Sequence, residues 1–321
     1  MNTISANDNT MRSALVLRAD YFLVFKLDEE IKTNEEYYHG GWLADEASAL
    51  GSLCLGVRLK AGSISREFGT DDPKGFPRGL NEHSPTLNIN DPKCLVVPSA
   101  ANAQRSLDDL APIQSLPKLS PQAADALLRA ARLYQDALWI CESEPGLSWL
   151  LMISAVETAA SFWRSGTDSP VEKLKVSRPK LVPLLLEAGG AKLLEAVAIE
   201  IAPYMGATKK FIDFMEEFLP EPPQSRPCEW ARHSWDDKPM RETLRCVYNY
   251  RSRALHGGTP FPAPMCRAPL ELVEVYEEKP SGLAAGKGTH KWVAKDIPIH
   301  LHTFEYAVRG ALLRWWETLI P

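Results

Sequence analysis

From Pro145 to Trp163 the chain carries one charge, Glu157, and Arg164 follows directly. Such a run predicts a helix over Leu147 to Arg164 that is hydrophobic on nearly every face and must be covered on every side. With a carboxylate inside it and an arginine at its end, it suits the centre of a helical bundle better than a bilayer. Its polar residues Ser154, Glu157, Ser161 and Arg164 recur at three- and four-residue spacings, so they share one line along the helix.

The neighbouring sequence supplies partners for that helix. Ser120 is a capping residue and Pro121 suits a first helical position. Leu127, Ala131, Tyr134, Leu138 and Cys141 then repeat at helical spacing, and Glu144-Pro145-Gly146 ends the element. Further helices are expected over Lys180–Glu187, Ala191–Tyr204, Thr208–Phe218, Met240–His256 and His302–Leu319, with Leu219–Pro227 as a proline-rich break. A β-hairpin is expected to pair Leu270–Tyr276 with Lys291–Ala294 across a Gly282–Gly288 tip.

Upstream the pattern differs. Leu15–Leu17 and Tyr21–Phe25 read as buried strands, Ala44–Leu55 as a short amphipathic helix, and Gly69–Pro98 as mostly loop. Pro112, Pro117 and Pro121 punctuate a junction around 113–121. The expected fold is therefore α+β: a mixed α/β domain over 1–115, then a mainly helical bundle over 120–321 with a β insertion at about 265–297.

Composition narrows the function classes. A net charge of −5 argues against a protein that coats nucleic acid non-specifically, since such binding rests on many phosphate contacts. It leaves room for one local basic site. Between Arg226 and Pro260, seven cations (Arg226, Arg232, Lys238, Arg241, Arg245, Arg251, Arg253) face four carboxylates (Glu229, Asp236, Asp237, Glu242), a local excess of three. The six scattered cysteines contain no Cys-x-x-Cys pair, which argues against a zinc ribbon or a disulfide framework. No basic segment followed by an apolar one opens the chain, so the expected location is cytoplasmic, without a membrane partner.

Met240–His256 holds the sharpest signal. On a wheel of about 100° per residue, Met240, Leu244, Val247, Tyr248, Ala254 and Leu255 share one stripe, with Arg251 in its middle. A buried cation needs a partner, and Glu157 is stranded in the same way on its own apolar helix. On the adjacent polar face, Arg245, Asn249, Ser252 and His256 align at spacings of four, three and four.

Tyr250-Arg251-Ser252-Arg253-Ala254-Leu255-His256-Gly257 resembles the Arg-x4-His signature of HEPN domains. The Tyr-x-x-Arg-Ser-x-x-x-His-Gly form of their ApeA-like branch is matched by Tyr248, Arg251, Ser252, His256 and Gly257. The stretch Ser148–Glu157 is similar to that branch's glutamate-bearing helix. The resemblance covers roughly 120–320; Ser252 departs from the Asn, Asp or His that often follows the arginine in active members.

The resemblance implies a metal-independent endoribonuclease with no cofactor, whose motifs meet across a homodimer or pseudo-dimer, the homodimer being expected here. RNA is then the substrate, and an antitoxin or regulatory protein is a further partner; toxin and antiviral-defence roles occur in the family. Arg251 and His256 become the catalytic pair, Glu157, Ser252 and Asn249 their supports, and Arg245, Arg253 and Tyr248 substrate contacts. The residue types suit this chemistry. An imidazole ordinarily titrates near pH ~6.5, and a guanidinium forks onto phosphate oxygens. Five residues nevertheless separate Arg251 from His256, so on a straight helix they project about 140° apart. Either the last turn is loosened or a second copy supplies one of them. The other reading is a non-catalytic HEPN module binding RNA or a protein, in which Arg251 is a structural ion-pair residue and His256 a helix-end cap.

Three other features point nowhere further. Gly282–Thr289 is one residue short of a phosphate loop and follows no buried strand. His300-x-His302 lacks a sequence-adjacent carboxylate or cysteine to complete a metal set. Trp315-Trp316 reads as packing.

Overall fold

The computed structural model describes residues 10–11, 38–62, 64, 66–69, 71–77, 87–88, 94–102, 104–164, 169–202, 206–281, 284–287 and 290–321. The strands expected at Leu15–Leu17 and Tyr21–Phe25 lie outside these. The fold is mainly helical α+β. Its helices are α1 (Leu43–Leu55), α2 (Ser99–Asn102), α3 (Pro121–Ile140), α4 (Pro145–Trp163), α5 (Pro170–Ser177), α6 (Leu181–Ile201), α7 (Ala207–Phe218), α8 (Asp237–Gly257) and α9 (Leu301–Thr318), with a 3-10 helix over Leu107–Lys118. Among the described residues four antiparallel two-stranded ribbons accompany them: β1 (Thr10–Met11) with β4 (Leu87–Asn88), β2 (Arg66–Glu67) with β3 (Phe76–Pro77), β5 (Glu271–Leu272) with β6 (Val275–Tyr276), and β7 (Ala284–Lys287) with β8 (His290–Val293).

The helix hairpin α3–α4 is the centre. Ser120 accepts the Ala123 amide at 3.2 Å and so caps α3, with Pro121 in its first turn. After the short turn at 141–144, α4 runs back along α3, and the Ser148 hydroxyl donates to the Ala137 carbonyl at 2.8 Å. Trp149, Met152, Ile153, Val156 and Ala159 of α4 are fully buried, as an all-apolar helix requires. Trp149 stacks on Phe261 and Phe304, and its indole donates to the Met265 carbonyl at 3.2 Å. α7, α8 and α9 close the bundle around α4, with Trp315 and Trp316 of α9 inside the core.

The elements on both sides of 113–121 share that core. Ala49, Leu50 and Leu53 of α1 join the same cluster as α3 and α9. The Arg309 guanidinium of α9 donates to the carbonyls of Leu53 and Cys54, lying across Gly56, whose left-handed φ of 62° ends α1. Arg58 pairs with Glu142, which also accepts the Val96 amide at 2.8 Å. The Trp316 indole donates to Ser115 at 3.0 Å.

Three expectations need correction. Leu270–Tyr276 and Lys291–Ala294 do not form one hairpin; β5–β6 folds on itself through Val273-Glu274, and β7–β8 is a second hairpin. By contrast, the two helices expected over 180–204 are both present: the span α6 is broken at Gly190, whose φ of 67° and ψ of −161° are not helical. α5 is an additional helix, capped by Ser169. Leu255, expected on the apolar stripe of α8, is 53% exposed, because α8 runs past the edge of the core in its last turn.

Candidate functional site: the Glu157–Tyr248–Arg251 cluster

α8 buries Met240, Leu244, Val247 and Tyr248 against the bundle. This places the stripe against α4 and α7 and brings Arg251 to Glu157. One Glu157 oxygen accepts the Arg251 Nη2 hydrogen bond at 2.8 Å, and the other accepts the Tyr248 hydroxyl at 2.6 Å. The Tyr248 ring lies 5.5 Å from the guanidinium carbon and 5.2 Å from the Phe211 ring of α7. Burial first, and the hydrogen bond to Glu157 second, push the Tyr248 hydroxyl above its usual range, so it stays a proton donor. The Arg251 side chain remains 21% exposed, while its Nε is buried without a hydrogen-bond partner among the described residues. Arg251 is thus anchored at one nitrogen and retains unused donor capacity.

Glu157 also faces an open cleft. Ser154, Glu157 and Ser161, three members of the polar line on α4, line a cavity of about 550 Å³ with Asp125 and Arg129 of α3. Arg129 and Asp125 pair across one helical turn at 3.1 Å. The fourth member, Arg164, instead binds Asp213 at 2.5 Å and lies over the Trp163 ring.

α8 stays helical through Gly257, and Gly258 closes it in the left-handed conformation (φ 63°). His256 therefore belongs to a regular turn, and the loosened end that would swing it toward Arg251 is absent. His256 is exposed, as are Arg245 and Asn249; Ser252 is half-buried. None of these four forms a hydrogen bond or ion pair among the described residues. Arg253 lies over the Tyr250 ring at 4.4 Å, and the Tyr250 hydroxyl donates to the Asp296 carbonyl at 2.6 Å. The structure therefore gathers Glu157, Tyr248 and Arg251 into one cluster. Arg245, Asn249, Ser252 and His256 stand on a separate face of the same helix.

The seven cations of 226–260 divide the same way. Arg226 binds Glu278, Arg241 binds Glu216 and Arg251 binds Glu157, while Arg232 donates to the Pro227 carbonyl. Lys238 and Arg245 have no partner among the described residues, and Arg253 has the Tyr250 ring. Three of the seven are thus neutralised by carboxylates from outside the segment, and the remaining Arg232, Lys238, Arg245 and Arg253 are matched in number by Glu229, Asp236, Asp237 and Glu242.

A buried polar network beneath the hairpins went unseen in the sequence. His300 is fully buried, with Nε2 2.9 Å from Glu277, whose other oxygen accepts the Ser281 hydroxyl at 2.5 Å. Arg226 grips Glu278, which also accepts the His233 amide at 2.8 Å. The carboxylate missing beside His300-x-His302 in sequence is supplied in space by Glu277. Still, no group of three residues able to hold a metal ion occurs among the described residues. Nor is any helix there long and apolar enough to cross a membrane.

No protein-family model matches this chain, and no curated protein or solved structure matches it.

Proposed function

We propose that this chain is a metal-independent endoribonuclease of the HEPN class, working as a dimer in which Arg251 of one copy and His256 of another meet at one phosphate. One observation carries the reading. Arg251 is fixed by Glu157 yet its side chain stays 21% exposed, while His256 stands free on the same unbroken helix. The unbroken turn supports a two-copy site, because side chains about 140° apart on one helix do not converge on one anion.

In this reading Glu157 and Tyr248 are positioning residues. They hold the arginine where a phosphate can take its remaining donors, in the bidentate manner that suits guanidinium. One copy's His256 removes the proton of the RNA 2′-hydroxyl as its oxygen bonds to phosphorus. The other copy's His256 gives a proton to the departing 5′-oxygen as that P–O bond breaks. The products are a 2′,3′-cyclic phosphate and a 5′-hydroxyl, with protons and electron pairs balanced and no metal required. Arg245, Asn249, Ser252 and Arg253 supply contacts along the strand from the face that carries the unpaired cations. The roles of toxin or antiviral effector, restrained by an antitoxin or regulatory protein, rest on the resemblance to HEPN domains.

The test is RNA cleavage in EDTA by wild type, Arg251→Ala and His256→Ala. The expected result is cyclic-phosphate products from wild type and losses of about 10²-fold or more in each variant, both still folded. Absence of cleavage by wild type under every condition would overturn the reading. It would favour the non-catalytic module, for which the engagement of Arg251 by Glu157 is the supporting observation.

A further inference from the structure

A second cavity, of about 300 Å³, opens beside the first half of α8. Pro239, Glu242, Thr243 and Cys246 of α8 line it at spacings of three and four residues, so they form one strip. His233 and Ser234, from the segment before α8, and Lys279 and Lys295, from the two sides of the β7–β8 hairpin, complete it. From Thr243 to His256 the helix rises ~20 Å, and Arg251 projects from another face of it. A small ligand held here stands clear of the site proposed above.

Buried contacts fix the backbone at both lysines. Lys279 follows Glu278, whose carboxylate is bound by Arg226 at 2.7 Å and by the His233 amide at 2.8 Å. Lys295 lies in the 3-10 turn Ala294–Asp296, and the Asp296 carbonyl accepts the Tyr250 hydroxyl at 2.6 Å. Their side chains are uncommitted: neither forms a hydrogen bond or ion pair among the described residues, nor does that of Glu242. His233 is 6% exposed, with Nε2 3.3 Å from the Thr243 hydroxyl. Burial holds its pKa at about 4, and the Lys279 cation acts on the ring in the same direction, so the imidazole is neutral.

The cavity therefore offers two unpaired ammonium groups and one unpaired carboxylate. Ammonium groups only donate, so their complement is an acceptor-rich anion. A phosphate monoester carries a charge of about −1.5 to −2 and three acceptor oxygens, whereas a carboxylate or a phosphodiester carries a single charge. Two cations match the monoester best. The volume exceeds that of a phosphate and stands at the small end of ligand pockets (~300–1,000 Å³), so it holds one unit of nucleotide size. Glu242 only accepts, so the rest of the ligand carries hydroxyl or amine donors. We infer that this cavity binds a nucleoside monophosphate, its phosphate between Lys279 and Lys295 and its sugar or base donors on Glu242. That group comes from a free nucleotide or from the phosphorylated end of an RNA strand. The inference stands apart from the nuclease reading, because binding here uses neither Arg251 nor His256.

The test is isothermal titration calorimetry of the full chain with circular dichroism as the folding check. The probes are the four 5′-ribonucleoside monophosphates, their nucleosides and inorganic phosphate. Wild type is expected to bind its best nucleotide at least about tenfold more tightly than the matching nucleoside. Lys279→Gln should weaken that nucleotide about tenfold and the exposed Lys295→Gln about threefold, each with unchanged helicity. Glu242→Gln should tighten inorganic phosphate and narrow the nucleotide's advantage over it. The inference is overturned if no nucleotide binds at millimolar concentration, if nucleotide and nucleoside bind alike, or if both lysine variants bind as wild type does. A 5′-phosphorylated 2′-O-methyl tetranucleotide, which lacks the hydroxyl needed for cleavage, separates the two sources. Binding tighter than that of the mononucleotide assigns the site to a strand end, and weaker binding assigns it to a free nucleotide.

Discussion

Glu157 on α4 and Arg251 on α8, 94 residues apart, are joined by a 2.8 Å hydrogen bond at the margin of the core, with Tyr248 on the second carboxylate oxygen. Each charge makes the other tolerable in its apolar surroundings. A double-mutant cycle of Glu157→Leu and Arg251→Leu, read by urea denaturation, should give a coupling of about 1–2 kcal/mol, with Tyr248→Phe costing about 1 kcal/mol. Additive single-mutant effects would mean that the pair is a surface contact.

His256 and Arg245 separate stability from function. Their side chains engage nothing among the described residues, so His256→Ala and Arg245→Ala should each shift folding stability by less than about 0.5 kcal/mol. If RNA lies along this face, Arg245→Ala should weaken binding across all sequences and lower the salt slope by about one. An unchanged slope in filter binding would remove Arg245 from the RNA path.

Stability should fall in acid in two steps. Burial holds the His233 pKa at about 4, below its ordinary 6.5, with Glu278 offsetting only part of the effect. The unfolded chain therefore takes up that proton first. The contribution is fully present above pH 6.5 and is lost as pH falls toward 4, up to on the order of 3 kcal/mol. For Glu277, burial raises the pKa, but hydrogen bonds from His300 and Ser281 outweigh it and hold the carboxyl at about 2, so its share is lost between pH 4.5 and 2. Melting temperature against pH should show both limbs, with His233→Gln reducing the first, to which His302, also held at about 4 by burial, and His300 contribute in the same direction. A wild-type curve level from pH 6.5 to 4.5 contradicts the buried neutral imidazole.

The β5–β6 turn stores strain. Val273 and Glu274 have φ of 38° and 64°, and Val273 is almost wholly exposed. A β-branched residue is costly at positive φ, where Asn and Gly are at ease. Val273→Asn with Glu274→Gly should raise stability by about 1 kcal/mol or more in a thermal melt. A lower melting temperature would show that the valine is held by something that outweighs its backbone.

The same turn shows why parts of the fold were hidden in the sequence. Two-residue hairpins announce themselves through Asn-Gly or Asp-Gly; Val-Glu carries no such signal, so β5–β6 read as one strand. Helix ends were legible where chemistry is local, as at Ser120-Pro121 and Gly257-Gly258. The pairing of Glu157 with Arg251 was legible because a charge on an apolar stripe demands an opposite charge. The Arg226–Glu278 and His300–Glu277 contacts join residues 52 and 23 positions apart on irregular segments, where periodicity says nothing of proximity.

The clasp of Arg309 over Gly56 also sets a timetable. The acceptors on Leu53 and Cys54 precede their donor by more than 250 residues. At about 5–20 residues per second of synthesis, the ribosome delivers that donor some ten seconds to a minute after α1 has emerged. Through that interval the early segment waits with its final carbonyls unclaimed, and a message truncated before the last helix would leave them so permanently.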